Sequence, residues 1–245
     1  PETLIHTISV DIVVDPLWGD VSRPEVREFW LRAVKARHVV GAMAGPPCET
    51  WSKAPGRAPE QTTDSVCKRG PRVIRDAADL WGKVSLALKE LKQLDVVNLL
   101  LLFTLELLIN LALEDGIGGM EHPAEPAEPE LASVWRLPVI EYLRTWPEFS
   151  FLEVSQGLWG APSRKPTGLL LLNMPNAFRQ LREWQLVGDF PKTASIGKNS
   201  EGFWATSVLK EYPPAFCGGL AGGFIFALQE HPVDANLVPS HEFCR

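Results

Sequence analysis

Residues 38–48, HVVGAMAGPPC, carry the reading of the fold: a short apolar run over 38–43 stops at Gly45-Pro46-Pro47 and releases Cys48. A run of that length, bounded by Gly and Pro, predicts a buried strand. Two successive prolines restrict the backbone and pre-extend the residues before them, so the cysteine is presented at little ordering cost. It then stands beyond the C-terminal end of a strand, where open α/β sheets bind their ligands.

Upstream, residues 4–12 (LIHTISVDI) alternate and predict an earlier strand with Asp11 near its end. Residues 22–36 predict a helix with Ser22 as N-cap, Pro24 in the first turn and Val26, Phe29, Trp30, Ala33 and Val34 at helical spacing. Downstream, prolines at 55, 59 and 71 and the lack of periodicity predict a long loop after Cys48, of a length that usually carries function. Residues 84–113 are the strongest helical stretch, with a break expected near Leu94 or Asp95. Residues 116–120 (GIGGM) predict a strand presenting Glu121, and 137–145 a further helix. Two strands follow at 149–154 and 167–173; the turn-rich connector SQGLWGAPSRKP suits an antiparallel pair, and 210–228 predicts a closing helix. This order predicts an α/β fold with a mainly parallel sheet covered by helices.

The 245 residues carry 24 basic and 30 acidic side chains, net charge -6, with 45% hydrophobic residues, which excludes disordered and fibrous classes and suits one domain with its own core. Cys48, Cys67, Cys217 and Cys244 are scattered with no CxxC pair, so neither a metal site nor a disulfide framework is expected, and the chain reads as intracellular. Residues 96–113 have spanning length, but Asn98, Glu106 and Asn110 interrupt them, so a buried helix is expected and no membrane partner. No signal peptide is visible, and a start at Pro1 suggests a piece of something longer. The oligomeric state leaves no trace in the sequence.

Several segments, in order, resemble the motifs of the DNA cytosine-5 methyltransferase family. Ala44-Gly45-Pro46-Pro47-Cys48-Glu49-Thr50-Trp51-Ser52 is similar to its nucleophile motif, Glu121-His122-Pro123 to its Glu-Asn-Val, and Gly19-Asp20-Val21 to its Gly-Asp-Ile. The segment 160–167 (GAPSRKPT) resembles Gly-x-Pro-Gln-x-Arg-x-Arg, with Lys165 at the first Arg and Thr167 at the second, and Tyr212-Pro213-Pro214 onward resembles the closing helix motif weakly. The resemblance implies a Rossmann-like S-adenosyl-L-methionine-dependent sheet, mostly parallel, with an antiparallel hairpin near the C-terminal end. It implies C5-methylation of cytosine in DNA, with Cys48, Glu121 and Lys165 catalytic and Asp11, Asp20 and Pro46 binding S-adenosyl-L-methionine. Ser52, Lys68, Arg69, Arg72, Arg75 and Arg164 would contact DNA, and a eukaryotic protein of this kind would act in the nucleus.

The match has departures. Nothing in residues 1–10 supplies the family's glycine-rich turn, so residues 1–245 read as a single methyltransferase-like domain lacking the first strand and the glycine-rich cofactor loop. Residues 174–208 read as a reduced target-recognition-like insert. The alternatives are a catalytically inactive methyltransferase-like module for nucleic-acid binding or interaction, and a thiol hydrolase pairing Cys48 with His122, His38 or His6.

Overall fold

A computed structural model describes residues 6–51, 72–185 and 211–230. In chain order the elements are α1 (Pro24–Lys35), β1 (Gly41–Ala44), α2 (Leu88–Leu113), β2 (Ile117–Pro123), α3 (Pro138–Leu143), β3 (Phe149–Ser155), β4 (Pro166–Leu172), α4 (Pro175–Gln185) and α5 (Pro214–Glu230). The protein is α/β, with a four-stranded sheet in the order β1-β2-β4-β3. Successive β4 residues face opposite ways, as strand geometry requires. Leu170 and Leu172 join the core with residues of α1, α2 and α3, whereas Leu169 and Leu171 join residues of α4 and α5 on the other face.

Helix α2 supplies the larger core. Leu94, Val97, Leu101, Leu105, Leu108 and Leu111 are buried at three- and four-residue spacing, the stripe a helix lays on a sheet. Leu91, Val96, Leu102 and Leu113 on its remaining surface are exposed, so the helix is apolar nearly all round and is long and apolar enough to cross a membrane. It begins at Leu88, where the Glu90 carboxylate accepts from the Ala87 N–H at 2.8 Å, and continues unbroken through Leu94 and Asp95. The expected break is absent because Leu94 and Val97 both lie on the buried stripe.

Three further expectations are corrected. The sheet is mixed rather than mostly parallel: β1 pairs with β2 in parallel, but β4 pairs antiparallel with both β2 and β3. The physical cause is the connector after β3, which turns the chain back so that β4 enters between its two neighbours; the antiparallel β3–β4 pair was legible, its insertion was not. Residues 6–12 form no strand; they are exposed, and the Asp11 carbonyl instead accepts from Val14 and Asp15 in a turn. Alternation alone cannot make a strand without a neighbour to complete its hydrogen bonds. Finally, the N-cap of α1 is Arg23, not Ser22, whose hydroxyl donates to Asp20 Oδ1 at 2.5 Å; Pro24 does take the first turn.

Under the β1–Cys48 turn lies an aromatic stack. His122 is 1% exposed, edge-on to Trp51 and Trp135 with centroids 6.3 Å away in each case. Its ring hydrogen-bonds the Pro47 carbonyl, while Nε2 has no protein partner. Burial, and then the nearby Arg75 guanidinium, push its pKa down to about 3, so His122 is neutral in the fold. Trp135 donates from Nε1 to the Pro123 carbonyl at 2.7 Å and packs against Gly168, where an added Cβ would stand 2.5 Å from Cζ2.

Two outcomes follow from this packing. Gly168→Val should cost about 1–3 kcal/mol by overpacking against Trp135, read as a lower urea midpoint. The unfolded chain protonates His122 near its ordinary value of 6.5 and the folded chain only near 3. Stability should therefore decline as pH falls through that window, and His122→Gln should remove part of the decline; identical pH slopes for the two proteins would refute the assignment.

Candidate active site

The parallel register pairs Ala44 with Met120, so the loop leaving β1 runs beside Glu121 in β2. Gly45 packs against Tyr212: a Cβ there would stand 2.6 Å from the Tyr212 hydroxyl and 4.0 Å from Glu121 Oε2. Only a residue without a side chain permits this approach. Three residues further on, past two prolines, is Cys48, half-buried.

Glu121 is 9% exposed. Gln156, just beyond β3, donates from Nε2 to Glu121 Oε1 at 3.2 Å and to Thr167 Oγ1 of β4 at 3.0 Å. Tyr212, two residues before α5, donates from its hydroxyl to Oε2 at 2.8 Å. Burial raises the Glu121 pKa, against the opposing effects of the Tyr212 hydrogen bond, the Lys165 charge, and hydrogen bonds with Thr167 and Gln156. Lys165 lies over the Tyr212 ring, Nζ 4.5 Å from its centroid, and donates to the Glu211 carbonyl at 3.4 Å. Burial pushes its pKa down while the charges of Glu121, Cys48 and Cys217 hold it up.

The thiol of Cys48 is pushed up to about 11, first by burial, then by the carboxylates of Glu49 and Glu121; the Lys165 ammonium opposes them. At rest Cys48 is a neutral thiol. Protonating Glu121 removes one of the two charges that keep it so. The carboxyl, the thiol and the ammonium thus form one coupled group at the ends of adjacent strands.

Cys48, Glu121 and Lys165, the three residues expected to be catalytic, are brought together. Pro46 lies in the same loop, between Gly45 and Cys48. Asp11 and Asp20 sit in a separate turn closed by Gly19, where an added Cβ would fall 2.1 Å from the Asp11 carbonyl oxygen. Asp11 Oδ1 accepts from the Val13 N–H, and Asp20 Oδ1 from the Ser22 N–H and hydroxyl. The Ser22 hydroxyl holds the Asp20 carboxyl below its usual range, so it is an ionised acceptor. Each of these hydrogen-bond sets uses one carboxylate oxygen, and a carboxylate is an acceptor able to take hydroxyl or amino donors.

Arg75, expected to contact DNA, is buried. It is 1% exposed, stacks 3.8 Å over the Trp51 ring, and donates to the Leu80 carbonyl and Asn98 Oδ1. Arg72 is exposed and bound to Glu90 and the Ser85 carbonyl. Arg164 is exposed, and its carbonyl accepts from the Ser155 hydroxyl. Ser52, Lys68 and Arg69 lie outside the described residues, as do positions 186–208 of the expected insert; its first part is α4, which packs on α5 and β3. His122, inside the stack, contacts Pro47 and the tryptophans.

Sequence reasoning missed Gln156 and Tyr212 as site residues. Tyr212 is separated from Glu121 by 91 positions, and no local pattern links them. Among the described residues no group of His, Cys, Asp and Glu could hold a metal ion. Comparison of the chain with protein families, curated proteins and solved structures returns no match.

The thiol state is directly measurable. Peptide-resolved alkylation of Cys48 by iodoacetamide should be slow at pH 7.5 and climb toward about pH 11, and Glu121→Gln should move that climb to lower pH. Rapid alkylation at neutral pH with no change in Glu121→Gln would contradict the coupled site.

Proposed function

We propose that this chain is a Rossmann-like methyltransferase domain, intracellular and nuclear if eukaryotic, that belongs to a protein methylating C5 of cytosine in DNA. The observation that carries the reading is the meeting of Cys48 and Glu121, residues apart in sequence, at the ends of parallel neighbours β1 and β2 and within electrostatic reach of one another. The antiparallel β3–β4 pair near the C-terminal end supports the finer fold assignment. In the same reading α2 is a core helix and the chain purifies without detergent.

The chemistry follows from the residues. A cytosine flipped from the duplex presents C6 to the Cys48 sulfur and N3 to Glu121. Once the Cys48 thiol has lost its proton to water, the thiolate adds to C6 while Glu121 in its acid form gives its proton to N3, so electrons accumulate at C5 rather than as ring charge. A raised Glu121 pKa favours this acid form, and the neutral carboxyl no longer opposes ionisation of Cys48. Lys165 stabilises the thiolate electrostatically. When bound, S-adenosyl-L-methionine supplies an electrophilic methyl group, with Asp11 and Asp20 accepting hydrogen bonds from its nucleoside. Loss of the C5 proton to water breaks the S–C6 bond and expels Cys48 as a thiolate, while N3 returns its proton to Glu121, which restores the cytosine ring.

A second reading, a catalytically inactive module that binds nucleic acid or a partner, is favoured by the resting thiol and by the internal pairing of Arg72 and Arg75. One experiment separates the two. DNA containing 5-fluorocytosine, incubated with S-adenosyl-L-methionine and the chain, alone and with any residues encoded upstream, should give a denaturant-resistant adduct, because fluorine cannot leave C5 as the proton does. Cys48→Ala should abolish the adduct, and Glu121→Gln should slow its formation by about 10². DNA binding without an adduct in the wild-type protein would establish the inactive module.

A further inference from the structure

Lys165 stands where the resemblance places an arginine, yet its ammonium is engaged with the Tyr212 ring and the Glu211 carbonyl. A lysine is a point charge and cannot fork onto a carboxylate as a guanidinium does. The group whose proton reaches Glu121 Oε2 is instead the Tyr212 hydroxyl, at 2.8 Å. We propose that Tyr212 is the positioning residue of Glu121, and that Lys165, besides its direct charge, acts on the carboxyl by holding the Tyr212 ring in place.

Several independent features build this arrangement. The last torsion of a glutamate is soft, and a carboxyl is fixed only when both oxygens are held. Gln156 holds Oε1 and Tyr212 holds Oε2. Lys165 is aimed by its own backbone, which sits at φ +38 immediately before Pro166, a left-handed conformation uncommon for a residue with a side chain. Its carbonyl accepts from the Thr167 hydroxyl at 3.1 Å and from the Gln156 N–H at 3.2 Å, contacts that hold this strained conformation. Tyr212 is stacked on Phe216 of α5, centroids 6.2 Å apart, and Phe216 in turn meets Trp159. The absence of a side chain at Gly45 leaves the hydroxyl its place. The charged and titratable groups of this neighbourhood come from every flanking element: Cys48 and Glu49 after β1, Lys165 before β4, and Cys217 in α5.

The catalytic consequence rests on the methyltransferase reading, but the positioning does not, so the test begins without DNA. Tyr212→Phe keeps the ring under Lys165 and deletes the donor. With carboxyl-labelled glutamate, nuclear magnetic resonance should show Glu121 titrating at higher pH than in the wild type, because a bond favouring the carboxylate has been removed. Gly45→Ala, whose Cβ would displace the hydroxyl without altering Tyr212 itself, should raise the midpoint likewise and guards against a Tyr212 variant that fails to fold. Lys165→Met should raise it in the wild-type background by more than in Tyr212→Ala. An unchanged Glu121 midpoint in folded Tyr212→Phe or folded Gly45→Ala overturns the proposal, as does an equal effect of Lys165→Met in both backgrounds. With 5-fluorocytosine DNA, Tyr212→Phe should slow adduct formation about tenfold at pH 7, the lost orientation of the carboxyl outweighing the larger share of its acid form. No adduct in the wild type, alongside a shifted midpoint in the variants, would refute the methyltransferase reading and leave the positioning intact.

Discussion

A carboxyl buried in a sheet must be hydrogen-bonded or protonated, because an unpaired ion in such a medium costs several kcal/mol. Glu121 meets that constraint through donors from two separate parts of the fold, Gln156 beyond β3 and Tyr212 before α5, with Thr167 in β4 accepting from Gln156 and so holding it in place. Each can reach it only if the sheet is assembled as it is. The order β1-β2-β4-β3 brings Thr167 alongside β2, opposite Pro123, and the turn after β3 brings Gln156 back over the same edge. The solvation of one carboxyl thus ties together the insertion of β4, the connector SQGLWGAPSRKP and the docking of α5.

The same carboxyl governs the cysteine. Cys48 is held by prolines in a half-buried position and feels the charges of Glu121 and Glu49 more than the charge of Lys165, so its thiol is stabilised. This is the reverse of the electropositive setting that makes a resting thiolate. A site of this kind becomes nucleophilic only when the carboxyl is neutral or a positive group enters, which links activation of the sulfur to the state of its neighbour.

Two of the cations, Arg75 and Arg136, are drawn into the structure. Arg75 is consumed by Trp51, Leu80 and Asn98 beneath the active-site loop, beside a histidine that burial keeps neutral. Arg136 ties down the loop after β2 through Glu125 and the carbonyls of Pro126, Pro129 and Leu131. Basic residues in the sequence therefore overstate the positive surface that the described fold presents.

Local pattern sufficed for the existence of α1, α2, α3, β1 to β4 and α5, because each is written in a short periodicity or bounded by Gly and Pro: the valine run before Gly45, the leucine stripe of α2, the leucines of β4. The placement of Cys48 and Glu121 at strand ends was legible for the same reason. Tertiary structure alone decided the rest. Residues 6–12 alternate as a strand should, yet a strand exists only where a neighbour completes its hydrogen bonds. Arg75 has the composition of a surface cation and is buried, since its fate depends on Trp51 and Asn98, distant in the chain. Tyr212 meets Glu121 across 91 positions, and contacts of that range arise from the packing of α5 on the sheet, which no local sequence signal encodes.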